Sequence, residues 1–495
     1  MPALSHRDYH LRLGLRIGGP TAAFALIVLV AGCDQRTMSG PTGPKVSVCH
    51  MEGSVGTITD IFLSDLAGHK GHGDYVTRLD VDPLNAPGDS IHFRRITDAL
   101  AVARAGRIAR RETENAACRI TIAVVPATLK GSTAVSSDPA FELFPFVIDV
   151  PDITLKGALK MQVDAQGRAT GVADAGNETT FAPSPALIVT NGGSQTGVSE
   201  EIIIVNGQTA GPKGNGAVIE GFVFQSGRGP DVTPVGGQGI FSMRVKDLVV
   251  RGNRFEGGFT EPIDLRASSA LVERNHLSGL GAACDICLAG PGDFNVRDNR
   301  LLGRGGIPGV SVSPVLRLPV PEIVEQFALP AASLVTAALT NNEVKGHTFK
   351  PVGVGLRIDA IGNGGPNVVG TSKVTMTGNN LVGNTFGIVV HAAFPVAGTA
   401  LRGDVDLTTS GNTFSQNCQA DFYVSFKRHQ NGFGLTSPFP ATMLNSTFKL
   451  SLGSDISFDN AWFANPPGAG NTLIVNGQEM PSGSRTSYDA ARVCP

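Results

Sequence analysis

Two groups of residues in this 495-residue chain have types and spacing suited to chemistry. The first lies near the N-terminus, in VCHMEGSVGTITDIFLSDLAGHKGHGDYV. Its polar members are Cys49, His50, His69, His72 and Asp74. Thiolate and imidazole are donors that zinc prefers, and His69 and His72, at i and i+3, share one face of a turn. A disulfide at Cys49 would reduce this set to a His/Asp site, and a hydrogen-bonded fold without metal is the alternative. The second group is spread along the chain: Asp264, Arg266, Asp285, Ser311, Ser313, Arg357, Asp359, His391, Tyr423 and Ser425. Acids of this kind can hold an oxygen-seeking cation such as calcium or work as paired carboxylates. An ordinary polar outer face is the bland reading of the same residues.

These dispersed residues flank apolar pairs that recur: Ile263/Leu265, Ile286/Leu288, Val310/Val312, Leu356/Ile358, Ile388/Val390 and Phe422/Val424. About ten residues before each pair stands an Asn: Asn253, Asn275, Asn299, Asn342, Asn379 and Asn412. Three residues before each Asn is Val250, Val272, Val296, Leu339, Met376 or Thr409. Two after it is Phe255, Leu277, Leu301, Val344, Leu381 or Phe414. VIEGFVFQSG, from Val218, is an earlier unit with Phe222 in the Asn slot. Alternation with period two indicates strands. A unit this short cannot bury its own apolar face, so copies must stack. Stacking places equivalent residues about 4.8 Å apart and piles the Asn amides into a ladder. The expectation is that the Asn also takes the left-handed backbone of the corner. Two before the Asn, Arg251, Glu273 and Arg297 follow one another in successive units. They are expected to pair as a surface charge ladder.

On these units the chain resembles right-handed parallel β-helix proteins of the pectate-lyase-like superfamily. The resemblance implies an all-β solenoid over residues 118–450. ITDALAVA, Ile96 to Ala103, followed by ITIAVVP is similar to the start of exported β-helix proteins, and implies an N-terminal capping helix. Its basic residues Arg104, Arg107, Arg110 and Arg111 are expected on a solvated face. The resemblance further implies an active face on one outer sheet, with acids holding calcium and an Arg abstracting the proton alpha to a uronate carboxyl. The candidates are Asp264, Arg266, Asp285, Arg357, Asp359 and His391, with Asp264 and Asp285 on adjacent coils. No family catalytic motif stands at these positions.

The N-terminal stretch resembles a bacterial lipoprotein signal. Arg7, Arg12 and Arg16 precede AAFALIVLVAGC, an apolar run too short to span a bilayer comfortably. VAGC matches a lipobox, which implies cleavage of residues 1–32 and a diacylglycerol on Cys33. A membrane-lipid anchor in the bacterial cell envelope follows. A linker over 33–45, a Cys/His module over 46–81, a cap segment over 82–117 and a C-terminal cap over 451–495, with Trp462 covering the last coil, complete the expected organisation. The module's Cys-His and His-x-x-His-Gly-Asp elements resemble those of other exported bacterial proteins. Removal of three Arg and one Asp with the signal takes the formal charge from −2 to −4, which excludes a nucleic-acid partner on electrostatic grounds. Six cysteines remain after Cys33, and an even count in an exported chain favours disulfides. Cys284 and Cys287 are read as a structural disulfide or as members of two separate ones, rather than a redox pair. Ala165 to Ala182 reads as an insertion, and SPVLRLPVPEIVEQFALPAAS as a lateral loop with a short helix.

Low charge, regular ladders and the missing catalytic motif favour a non-catalytic protein that presents an elongated polysaccharide-binding or structural surface. The alternative is a polysaccharide lyase or glycoside hydrolase acting on an acidic polysaccharide. A third reading is an adhesin or metal-responsive envelope protein working through the His module. Calcium and zinc are the cofactors these readings name.

Overall fold

The computed structural model describes residues 43–52, 55–86, 89, 91–132, 141–173, 176–183, 201–207, 213–226, 237–279, 284–303, 308–314, 332–348, 353–360, 369–392, 402–426, 445–454, 456, 461–464 and 470–481. The signal segment, Cys33, the linker to residue 42, most of the insertion after Ser313, and Cys494 lie outside these residues. Among the described residues no helix is long and apolar enough to cross a membrane.

The chain winds as a right-handed parallel β-helix, the hand that parallel crossovers take almost without exception. Three long sheets of 14, 10 and 10 strands run along it. One coil shows the pattern. Leu248–Arg251 belongs to the first sheet, Arg254–Glu256 to the second and Glu261–Arg266 to the third, and Ser269–Glu273 re-enters the first one coil on. Equivalent residues stack as the repeat predicts. Phe224, Phe255, Leu277, Leu301 and Val344 form one column of the second sheet. Ile263, Ile286, Val310, Leu356 and Ile388 form one column of the third. All are buried, and each such side chain contributes about 1.5–3 kcal/mol through burial. Phe224 and Phe255 stack with ring centroids 4.6 Å apart.

The corner between the first and second sheets is an Asn ladder. Nδ2 of Asn275 donates to Asn299 Oδ1 at 3.0 Å and to the Val250 carbonyl at 2.9 Å. Asn299 does the same to Asn342 and Val272, and the ladder continues through Asn379 to Asn412. The backbone N–H groups of Asn253, Asn275, Asn299, Asn342 and Asn379 donate to the same neighbouring Oδ1, at 2.9 Å for Asn275. Phe222, in the Asn slot of the earlier unit, ends the ladder by donating its N–H to Asn253 Oδ1. The left-handed backbone is not at the Asn, as expected from the sequence, but one residue before it. Gly252, Arg274, Asp298, Asn341, Gly378 and Gly411 have φ between 52° and 65°. The Asn is thereby free to turn its amide inward.

The ends differ from the sequence reading. Parallel pairing continues past residue 450 to Thr472–Val475, and Gln478–Glu479 folds back antiparallel against that strand. Trp462 does not cover the last coil. It lies in Ala461–Ala464, on the outer side of the third sheet, stacked on Tyr423 at 4.3 Å. At the expected insertion, Ala169–Ala173 forms a lateral hairpin with Met161–Val163, which precedes it, whereas Thr179–Pro183 is a strand of the second sheet.

At the N-terminus, strands β1 (Lys45–Glu52), β2 (Val55–Phe62) and β3 (Tyr75–Val76) form an antiparallel sheet, with helix α1 (Leu66–Gly71) between β2 and β3. Arg78–Val81 already pairs with Ile120–Val124 in the first long sheet, so the module runs directly into the solenoid. Helix α2 (Ile96–Ala109) covers the first coil as expected. Its basic residues are not simply solvated. Arg107 is fully buried, donating to Tyr75 Oη at 2.6 Å, Glu112 Oε2 at 2.7 Å and the Cys118 carbonyl at 2.5 Å. Arg104 pairs with Asp149, and Arg110 donates to the Gly73 carbonyl. Three of the four basic residues therefore bind the helix to the module and the first coil.

Candidate functional site on the outer face of the third sheet

The pleat of the third sheet turns Ile263 and Leu265 inward and Asp264 and Arg266 outward. The register carries this outward row from Phe241 through Asp264, Cys287, Ser311 and Arg357 to Val389, Tyr423 and Trp462. A second row holds Asp359, His391 and Ser425. Although they point away from the core, Asp264, Arg266, Asp285, Ser311, Ser313, Arg357, Asp359 and His391 are all buried. Burial of this many polar groups demands partners, and the partners divide them into three clusters.

The first is an acid pair. Asp264 Oδ2 accepts from Arg266 Nε at 2.9 Å and from Gln238 Nε2 at 2.6 Å. The same Gln238 nitrogen donates to Glu261 Oε2 at 2.6 Å. Arg266 lies 3.6 Å from Glu261 and over the Phe241 ring. Burial, then the adjacent Asp264 carboxylate, pushes the Glu261 carboxyl up to about 7. Loss of solvent and the neighbouring negative charge both favour the protonated form of Glu261. Glu261 is the member that reaches solvent, with 16 % of its side chain exposed against 2 % for Asp264.

The second cluster lies three coils on, about 14 Å along the axis. Arg357 donates to Ser311 Oγ at 2.7 and 3.1 Å and lies 3.3 Å from Asp359, whose Oδ1 is 3.1 Å from His391 Nε2. The third is Asp285, 3.5 Å from His347 and raised well above the usual carboxylate range by burial. Asp264 and Asp285 are on adjacent coils, but the register partner of Asp264 is Cys287. The acid paired with Asp264 is Glu261 of its own strand. The six candidates therefore do not form one site.

Sequence reasoning missed Glu261, Gln238 and His347. The run Glu261-Pro-Ile-Asp264-Leu-Arg266 carried a usable signal, three ionisable residues within six on one strand. His347, from a turn two coils away, carried none.

In the N-terminal module, Cys49 is bonded to Cys118 and supplies no thiolate, which corrects its place among the metal ligands. His72, at the C-terminal end of α1, is exposed and outside the cluster. The residues brought together are His50, His69 and Asp74. Cys284 and Cys287 are bonded to each other, and Cys418 is also disulfide-bonded. Among the described residues the other group with metal-ligand spacing is Glu261, Cys284 and Cys287, whose sulfurs are tied up in that disulfide. Neither group is the oxygen cage that calcium takes.

No known protein family matches the chain, and no curated protein sequence matches it. Solved structures share its winding. An endo-xylogalacturonan hydrolase from Aspergillus tubingensis superposes with a TM-score of 0.44 at 11 % identity, over 79 % of this chain and 90 % of that one. A point mutant of the periplasmic alginate epimerase AlgG gives 0.40 at 12 % identity, over 72 % and 76 %. The A-module of the Azotobacter vinelandii mannuronan C-5 epimerase AlgE4 gives 0.36 at 12 %, over 82 % and 100 %. Likeness of this degree concerns the fold alone and assigns no residue a role.

Proposed function

We propose that this chain is a cell-envelope protein that cleaves a polysaccharide laid across the outer face of its third sheet, with Glu261 and Asp264 as the acid–base pair. The observation that carries this reading is the Glu261 carboxyl, raised to about 7 and joined to Asp264 through the Gln238 amide nitrogen. A carboxyl that holds its proton near pH 7 can donate it to a leaving oxygen. Asp264, held by Arg266 and Gln238, takes a proton from the attacking water as Glu261 gives its own to the leaving oxygen, so the water oxygen bonds to the sugar carbon while the glycosidic bond breaks. An extended sheet face suits a linear polymer, whose successive units can lie over successive coils. The lipobox-like VAGC supports anchoring through a lipid on Cys33; loss of fatty-acid labelling in Cys33→Ser would establish it, and retained labelling would reject it.

The test incubates the full chain in detergent with neutral and acidic polysaccharides and follows reducing and unsaturated ends. Hydrolysis yields the first, and elimination yields both. Glu261→Gln and Asp264→Asn are each expected to lower the rate at least ~10²-fold, with the fold intact by circular dichroism. Activity unchanged in both variants would reject the pair. The non-catalytic display reading keeps one observation in its favour. Arg357, Asp359 and His391 are buried and engaged with one another, an arrangement that braces the sheet without chemistry. Glycan binding with no product, undiminished in Glu261→Gln, would replace cleavage with display.

A further inference from the structure

We propose that His50, His69 and Asp74 form a zinc site, with one coordination position left to water. The three residues come from three differently fixed backbones. His50 lies in β1, pinned on both sides by β2 and β3 and tied at the preceding Cys49 to Cys118. His69 lies in the last turn of α1. Asp74 follows Gly73, whose φ of +85° is open to glycine at little cost. That turn brings the Asp74 N–H back to the His69 carbonyl at 3.1 Å.

One atom is the meeting point. Asp74 Oδ2 lies 2.9 Å from His50 Nδ1 and 2.7 Å from His69 Nδ1. Its other oxygen accepts from the Met51 N–H at 3.1 Å, the kind of supporting bond that fixes a ligating carboxylate. Two imidazoles and a carboxylate suit zinc and not calcium or magnesium. Tetrahedral zinc with ligands at about 2.0–2.1 Å requires the donors to part by only about 0.5 Å from their present spacing. The carboxylate is 1 % exposed, while the His50 and His69 side chains are 41 % and 29 % exposed. An ion therefore arrives from solvent over the two rings and meets a carboxylate already desolvated.

The experiment uses the full chain with disulfides intact, stripped by chelator and titrated with zinc by calorimetry, then loaded with cobalt(II). The expected result is one zinc per chain and the visible absorption of four-coordinate cobalt. Asp74→Asn and His69→Gln are expected to raise the zinc Kd at least ~10-fold, and His72→Ala to leave it unchanged. Circular dichroism of the zinc-free variants separates loss of a ligand from loss of the fold. The cobalt spectrum of the unaltered chain needs no variant. Absence of zinc uptake, absence of the cobalt bands, or a His72→Ala effect equal to that of His69→Gln would overturn the site and leave a hydrogen-bonded Asp–His pair of contacts.

Discussion

The corner between the first two sheets and the outer face of the third both bury polar side chains, by opposite means. At the corner one residue type repeats coil after coil, and every amide satisfies its neighbour. Asn275, Asn299, Asn342 and Asn379 each donate to the next Oδ1 and to a backbone carbonyl. On the outer face no residue repeats. Glu261, Asp264, Asp285, Asp359 and His391 occur once each, and their satisfaction depends on an Arg, a Gln or a His found nearby. Amides carry no charge, so the corner is indifferent to pH. Carboxyls carry their burial as shifted proton affinities, as Glu261 and Asp285 do. A repeating buried polar group thus reads as architecture, and a solitary one as a candidate for chemistry.

Removing a rung gives the largest effect. Asn299→Ala strands the Asn275 N–H and takes the side-chain donor from the Val272 carbonyl in the interior, while the Asn342 oxygen keeps only the N–H of residue 299. Each buried orphan costs about 1–3 kcal/mol, so a loss on the order of 4 kcal/mol or more is expected in urea unfolding, equal at pH 5 and pH 8. Asn299→Asp sharpens the contrast. It places a carboxylate among acceptors and should be worst at high pH, with partial recovery in acid. A rung whose removal lowered stability by less than about 1 kcal/mol would break the comparison.

Glu142 tests the solitary class away from the proposed active face. It is buried and caps α2 from 46 residues away, accepting from the Ile96 N–H at 2.6 Å and from Thr97 Oγ1 at 3.1 Å. Burial pushes it from 4.5 up to about 7. A raised folded-state value means that folding favours the proton. Its contribution is therefore full below pH 4.5 and is lost as pH rises to about 7. The loss amounts to about 3 kcal/mol. Glu142→Gln should remove this slope, visible as a parent-minus-variant difference in urea midpoints that declines between pH 4.5 and 7 and is flat outside it. A flat difference throughout would show that this carboxyl is charged in the fold at no penalty.

The same division explains what the sequence could disclose. The columns through Phe255, Leu277 and Leu301 and the Asn ladder were legible because repetition marks the register. The left-handed slot was half legible, since Gly252, Gly378 and Gly411 mark it while Arg274, Asp298 and Asn341 hide it. Charge in Arg104, Arg107, Arg110 and Arg111 suggested solvent, yet Arg107 is buried, because its acceptors Tyr75 and Cys118 lie in segments no local pattern connects. For the same reason Gln238 and His347 could not be joined to their acids. Long-range, single-copy contacts leave no periodic trace. The proposed acid pair is intermediate, since Glu261, Asp264 and Arg266 are close in sequence and only the side-chain geometry shows that Gln238 joins the two acids.

The smallest effect is expected where repetition and charge coincide. On the outer side of the first sheet, Lys156, Glu220, Arg251, Glu273 and Arg297 stand in register. Glu220 lies 3.3 Å from Lys156 and 2.5 Å from Arg251, and Glu273 lies 2.6 Å from Arg297. The Arg251 side chain is 48 % exposed, so water competes for both partners and salt screens the pair. Arg251→Ala leaves Lys156 beside Glu220 and should lower stability by only about 0.2–1 kcal/mol, less again at about 0.5 M salt. An effect above about 2 kcal/mol that resisted salt would mean that surface charges hold the coils as firmly as the buried amides do. Repetition alone would then no longer distinguish the corner from the faces, and burial would lose its place as the variable that separates them.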